Sequence, residues 1–162
     1  MQDAVEKCLR FRTKAVKLGF IDDEALYRKS FQEIFNSMKP LNSLVELHMF
    51  SESKAVVDQF VKRDGLDVII CDIDLGESSI NGFQLVGRLR DLGYKNPVCI
   101  HTNRLASAES GNLLSSDGDV YIPKPLKKGD LIRFLYKSLV EVGNNDVFPV
   151  NAPNTSQPQP IS

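Results

Sequence analysis

The sequence predicts an α/β protein built on a doubly wound, five-stranded parallel sheet. Three observations lead there. Five short strand-like segments alternate with helical patterns along the 162 residues, an order that gives parallel strands joined by right-handed crossovers. One segment, Asp67–Cys71 (DVIIC), is apolar without a break after its first residue, as a central strand covered on both faces must be. Four of the five lead into groups that hold cations or phosphoryl oxygens: Asp22-Asp23, Asp72, Thr102 and, one residue further on, Lys124-Pro125. In an open parallel sheet such strand ends share one edge, where ligands bind.

The elements follow in order. Asp3–Arg12 places Val5, Cys8 and Leu9 on one side of a short helix, too short to be stable alone. Ala15–Ile21 is the first strand. From Glu24 to Met38, Leu26, Phe31, Ile34, Phe35 and Met38 recur at helical spacing, and Pro40 follows the end. Leu44–Phe50 (LVELHMF) is the second strand. Ser51 or Ser53 caps a helix through Lys62, with Val56, Val57 and Phe60 facing inward and Asp64-Gly65 closing it. After the strand Asp67–Cys71, a loop over Asp74–Gly82 precedes a helix that carries Phe83, Leu85, Val86 and Leu89 and ends near Gly93. Pro97–His101 is the fourth strand, Arg104–Ser116 a weakly periodic helix and Val120–Ile122 the fifth strand. Lys127–Val142 is a final helix with Leu131, Ile132, Leu135, Leu139 and Val142 on its buried stripe. The organisation is therefore an N-terminal extension over 1–13, a folded domain over 14–142 and a tail over 143–162. That tail is rich in Asn, Pro, Gln and Ser and is expected to be disordered.

Composition narrows the function. Hydrophobic residues make up 42%, charged residues 25%, and the net charge is −1, ordinary values for a soluble globular protein able to bury roughly 70% of its unfolded surface. No surplus of basic charge argues for nucleic acid or an anionic membrane. No apolar stretch approaches the ~20 residues that span a bilayer, and Met1–Arg12 is too charged for a signal peptide. Cys71 and Cys99 fall in apolar strand patterns, which suits buried reduced thiols and a cytoplasmic protein.

The strand-end groups suggest the chemistry. Two carboxylates ~5 Å apart repel by about 3 kcal/mol at an effective dielectric near 20. A cluster of Asp22, Asp23 and Asp72 therefore needs a proton or a divalent cation. Oxygen-only donors, few of them from protein, suit Mg2+. Asp72, last on its strand, is the natural nucleophile, because a carboxylate can form an acyl phosphate. Thr102 can donate its hydroxyl to one phosphoryl oxygen and Lys124 can offer a cation to another. Taken singly, each has a plainer reading. Asp22, Asp23 and Thr102 suit helix caps, Lys124 a solvated lysine and Tyr121 ordinary packing. His101 reads as a satisfied core or rim histidine, and His48 as an isolated strand residue without a partner. Lys127, Lys128, Arg133 and Lys137 form a solvated helix face.

The segments FIDDE (Phe20–Glu24), DVIICD (Asp67–Asp72), PVCIHT (Pro97–Thr102) and DVYIPKP (Asp119–Pro125), in that order and spacing, resemble the receiver domain of two-component response regulators over Lys14–Val142. The resemblance implies a flavodoxin-like sheet with strand order 2-1-3-4-5. It implies that Asp72 accepts a phosphoryl group from a sensor histidine kinase or a histidine phosphotransfer protein. Mg2+ would be held directly by Asp23, through a water by Asp22, by Asp72 and by the backbone carbonyl of Asp74. Thr102 and Tyr121 match the paired switch residues, Lys124 matches the family's lysine, and the bond before Pro125 is cis. The output would be an unknown partner or a second copy, met by the face of the fourth helix, fifth strand and fifth helix. No turnover is implied beyond slow loss of the protein's own phosphate. With no second folded domain in view, the chain is expected to be a single-domain regulator or a piece of a hybrid kinase.

Departures from the family pattern concern kinetics. Two extra residues lie between Asp72 and Gly82, and Gly76 stands where proline is common. Asn103 occupies a place where a small residue is frequent and would crowd the phosphate. Asp74 and Arg104 lie two places beyond Asp72 and Thr102, positions that tune phosphate lifetime, and are expected to pair across the mouth of the site. Two alternatives remain open. Asp72-x-Asp74 imitates the first motif of haloacid-dehalogenase-like aspartyl phosphatases, although here the acidic pair Asp22-Asp23 precedes it rather than follows. The other is a receiver-like interaction module that takes no phosphate.

Overall fold

The computed structural model describes residues 1–61, 65–76, 80–103 and 119–141. The helix expected over 104–116, the caps at 62–64, Arg104, Val142 and the tail lie outside the described residues. Strands β1 (Val16–Ile21), β2 (Val45–Phe50), β3 (Val68–Cys71), β4 (Val98–Thr102) and β5 (Val120–Pro123) form one sheet in the order β2-β1-β3-β4-β5. Every pairing is parallel, as expected.

Alternation along the strands sorts two cores. Leu18, Phe20, Val68, Ile70 and Cys99 face one layer, built from α2 (Ala25–Asn36) and α5 (Lys128–Tyr136). Ile21, Ile69, Cys71, Val98 and Ile100 face the other, built from α3 (Ser53–Val61) and α4 (Gly82–Asp91). All four residues of β3 are buried, which explains their unbroken apolar run: a strand between two helical layers has no solvent face. Both Cys71 and Cys99 are buried free thiols.

Three helices differ in detail from the sequence pattern. Phe31 and Phe35 of α2 and Met38 just past its end are buried, whereas Leu26 is 69% exposed. Five residues before Phe31, Leu26 lies well off the stripe set by i, i+4 and i+7. Tyr27, four residues before Phe31, lies on it and is half-buried. The last helix ends as α at Tyr136 and continues as a π turn over Lys137–Glu141, which keeps Ser138 and Leu139 both buried. At the start of α4, Asn81 and Gln84 form a reciprocal capping box, so the loop before this helix closes two residues earlier than its apolar stripe indicates.

The N-terminal segment is part of the fold. Helix α1 (Gln2–Arg10) packs on α5 and the π turn, burying Val5 and Leu9 in the α2/α5 core. The Cys8 thiol donates to the Leu139 carbonyl at 3.3 Å. A nine-residue helix is marginal in water, so this burial is what holds it. Leu9→Ala is expected to lower unfolding free energy by about 2–4 kcal/mol, measured by urea denaturation of the full chain. An unchanged midpoint would contradict a packed α1.

Candidate functional site

Backbone pairing delivers the acidic residues to one edge. In register, Ile21 stands between Phe50 and Cys71, and Cys71 beside Ile100. The ladder then runs one residue past the strands: Asp22 N–H donates to Phe50 O at 3.1 Å and Asp72 N–H to Ile21 O at 3.0 Å. At the next pair out, Thr102 is opposite Pro123, and Lys124 N–H donates to Thr102 O at 2.9 Å. Asp22, Asp72, Thr102 and Lys124 thus leave the sheet side by side. The Lys124–Pro125 bond is cis.

The side chains meet on one cation. Lys124 Nζ donates to Asp22 Oδ2 at 2.7 Å and to Asp72 Oδ2 at 3.2 Å. Its side chain is only 2% exposed, far from a solvated surface lysine. Asp22 Oδ1 accepts from Glu24 N–H at 2.9 Å, and the Asp22 carbonyl from Arg28 at 2.7 Å. Asp22 therefore caps its neighbour and belongs to the cluster at once. Asp72 Oδ1 accepts from Ile73 N–H at 2.8 Å. Asp23 is exposed at the rim, and one ligand atom from each of Asp22, Asp23 and Asp72 lies within 4.8 Å of the others.

Charge and burial compete in this cluster. Burial pushes the Asp72 carboxyl above its ordinary value; Lys124 pulls it back, and Asp22 adds to the rise. Burial also opposes charge on Lys124, but the hydrogen bond to Asp22 and the charges of Asp72 and Asp22 outweigh it, leaving the ammonium above its ordinary value. Asp22 and Asp72 share this one ammonium and Asp23 stands beside them, so with all three carboxylates ionised two negative charges remain. An oxygen-only donor set with two uncompensated charges and an exposed rim suits a hard divalent cation such as magnesium.

Glycines keep the hollow open. Gly76 has φ +69°, and a Cβ there would lie 2.5 Å from Asp23 Oδ2. That backbone and that closeness explain why glycine replaces the commoner proline. A Cβ on Gly82 would lie 2.0 Å from the Asp72 carbonyl, so the start of α4 packs directly on the backbone of the central aspartate.

The remaining expected residues divide. Thr102 is buried at the end of β4, Tyr121 is half-buried on β5 against the α3/α4 core, and Asp74 is exposed beyond Asp72. Asn103 Nδ2 donates to the Tyr27 hydroxyl at 3.2 Å, and the Lys124 ammonium lies 3.7 Å from the Tyr27 ring centroid. Tyr27 was not anticipated; its place on the α2 stripe was the available signal. Both histidines also differ from expectation. His48 pairs with Glu46 and lies 3.4 Å from Gln59, because i and i+2 on an edge strand share a face. His101 is buried, yet neither ring nitrogen has a hydrogen-bond partner among the described residues, and Asp22 Oδ2 lies 3.8 Å from Nε2. Burial, helped by the Lys124 charge, lowers its pKa to about 3, so the ring is neutral at pH 7.

A family model described as the response regulator receiver domain matches residues 19–136. The chain belongs to that family. The receiver domain is 25% identical over 117 residues to two-component response regulator 24 of Arabidopsis thaliana, covering 72% of this chain and 79% of that one. A CheY-like receiver domain from Methanospirillum hungatei JF-1 superposes with TM-score 0.67 at 18% identity, covering 82% of this chain and all of the other (100%). The signal receiver domain of an HD domain-containing protein from Pseudomonas fluorescens Pf-5 gives 0.68 at 15% identity, covering 82% and 100%. These likenesses establish the fold. Among the described residues no helix is long and apolar enough to cross a membrane.

Removing the shared cation should leave the receiver's acidic cluster uncompensated. Lys124→Met is expected to cost about 3 kcal/mol of stability at neutral pH, the usual penalty for orphaning a buried charge. The sign with pH follows from Asp72. Its folded-state pKa, already raised, rises further in the variant, so the penalty is present above that pKa and vanishes as the carboxyl protonates below it. Urea melts at neutral pH and at about pH 4 check this; an equal deficit at both would contradict it.

Proposed function

We propose that this receiver domain accepts one phosphoryl group on Asp72 from a phosphohistidine of a sensor histidine kinase or a histidine phosphotransfer protein. An Asp72 carboxylate oxygen forms the new O–P bond as the N–P bond of the donor breaks, and the departing histidine nitrogen keeps the electron pair. The observation that carries this reading is the shared ammonium: Lys124 touches Asp72 and Asp22 together. Its charge lies beside the attacking carboxylate, where negative charge builds up on the phosphoryl oxygens. Thr102, leaving the adjacent strand, is the hydroxyl donor for a phosphoryl oxygen.

Asp23, Asp72 and the carbonyl of Asp74 are the groups that would hold Mg2+, with Asp22 assisting through a water. When bound, the ion neutralises charge on the phosphoryl oxygens. The acidic surplus and the space kept by Gly76 support that assignment. Phosphorylation adds about −1.5 to −2 charges. Drawing Thr102 and Lys124 toward them would pass through Tyr121 to the side of β5, α5 and the helix expected over 104–116, the face for an output partner or a second copy. The protein acts as a switch that holds a phosphoryl group and releases it slowly, rather than as an enzyme with turnover. The phosphatase alternative gains no support, because the acidic pair precedes the nucleophile in the chain.

Intact mass measured after incubation with acetyl phosphate and magnesium tests the reading. Wild type should gain one phosphoryl group, while Asp72→Asn, or wild type with a chelator, should gain none. Equal labelling of Asp72→Asn, or an unlabelled wild type, would overturn it.

A further inference from the structure

Lys124 has three N–H bonds to direct, and two are committed to Asp22 and Asp72. The ammonium also lies 3.7 Å from the centroid of the Tyr27 ring, well inside the ~6 Å at which a cation is attracted to an aromatic face. Because the lysine side chain is 2% exposed, little water competes for it, the condition in which such contacts are strongest. Tyr27 is itself fixed at both ends. It is one turn before Phe31 on α2, and its ring borders a small apolar cavity with Phe20, Phe31, His101 and Leu126. Its hydroxyl accepts from Asn103 Nδ2 at 3.2 Å, joining α2 to the residue directly after Thr102.

We propose that Tyr27 is a positioning residue of the phosphoacceptor site: its ring, anchored by Asn103, holds the Lys124 ammonium against Asp22 and Asp72. The inference rests on the reading of Asp72 as phosphoacceptor and deepens it. A lysine on a flexible four-carbon stem is otherwise a mobile point charge. With the ring and two carboxylates both against it, the charge is already placed when a phosphoryl group arrives. The same contact gives Asn103 a definite place. Its amide is turned toward α2 and held on the Tyr27 hydroxyl.

The test compares wild type, Tyr27→Leu and Tyr27→Phe, all as full chains with acetyl phosphate and magnesium. It reads the initial rate of aspartyl-phosphate formation, with the Lys124 Cε proton shifts followed by NMR without a donor. Tyr27→Leu keeps an apolar side chain on the α2 stripe but removes the aromatic face. It should slow phosphorylation about tenfold and abolish the upfield ring-current shift at Lys124. Tyr27→Phe keeps the face and loses only the bond to Asn103. It should restore the shift and bring the rate within about threefold of wild type, the scale of one exposed hydrogen bond. Tyr27→Leu labelled at the wild-type rate, Tyr27→Phe as slow as Tyr27→Leu, or no ring-current shift in wild type would each overturn the inference. A wild type that takes no phosphoryl group would instead overturn the phosphoacceptor reading, so the two failures are distinguishable.

Discussion

One ammonium between two carboxylates organises this molecule's working edge. Asp22 and Asp72 are brought together by the parallel ladder: each backbone N–H completes the pairing of its strand with a neighbour. Left alone at this spacing the acids would repel by about 3 kcal/mol. Lys124, delivered by a third strand end, offsets that repulsion from a side chain almost sealed from water. The price of the arrangement is desolvation of all three groups, visible in the opposed effects of burial and partner charge on Asp72 and Lys124. A buried ion pair of this kind is weak evidence for stability. Under the proposed function it is a charge distribution kept ready for an anion and a cation.

The arrangement also explains the local sequence around it. The hollow needs backbone close to Asp72, and Gly82 supplies it at the start of α4. It needs a turn that clears Asp23, and Gly76 supplies that with a left-handed backbone. It needs a flat wall behind the lysine, and α2 supplies Tyr27. Each requirement is met from a different element, so a change in any one is felt through the central aspartate or its lysine.

Much of this could be read from the residues alone, for a definite reason. A strand buried on both faces must be apolar throughout, and charged groups gathered at one edge of a parallel sheet must come from strand ends, so Asp67–Cys71 and the four terminal groups announced the fold and the cluster at its edge. What escaped is what depends on side-chain partnering rather than period. Tyr27 looks like one more polar position until Phe31 fixes the stripe. Leu26 looks like core until the same stripe turns it outward. His101 reads as a satisfied histidine in sequence, yet its ring lies against Phe20 and makes no hydrogen bond among the described residues. The N-terminal helix is too short to be credited alone and gains its place only by burying Val5 and Leu9 on α5.

The central claim is that one hollow, walled by Asp22, Asp23, Asp72 and Lys124, receives a divalent cation and a phosphoryl group together. Calorimetric titration with trifluoroberyllate, a phosphoryl mimic, measures this most directly. The account predicts one trifluoroberyllate per chain in the presence of magnesium, and none without the metal or when Asp23 is replaced by alanine. Binding that ignores magnesium, or that survives loss of Asp23 unchanged, would contradict it.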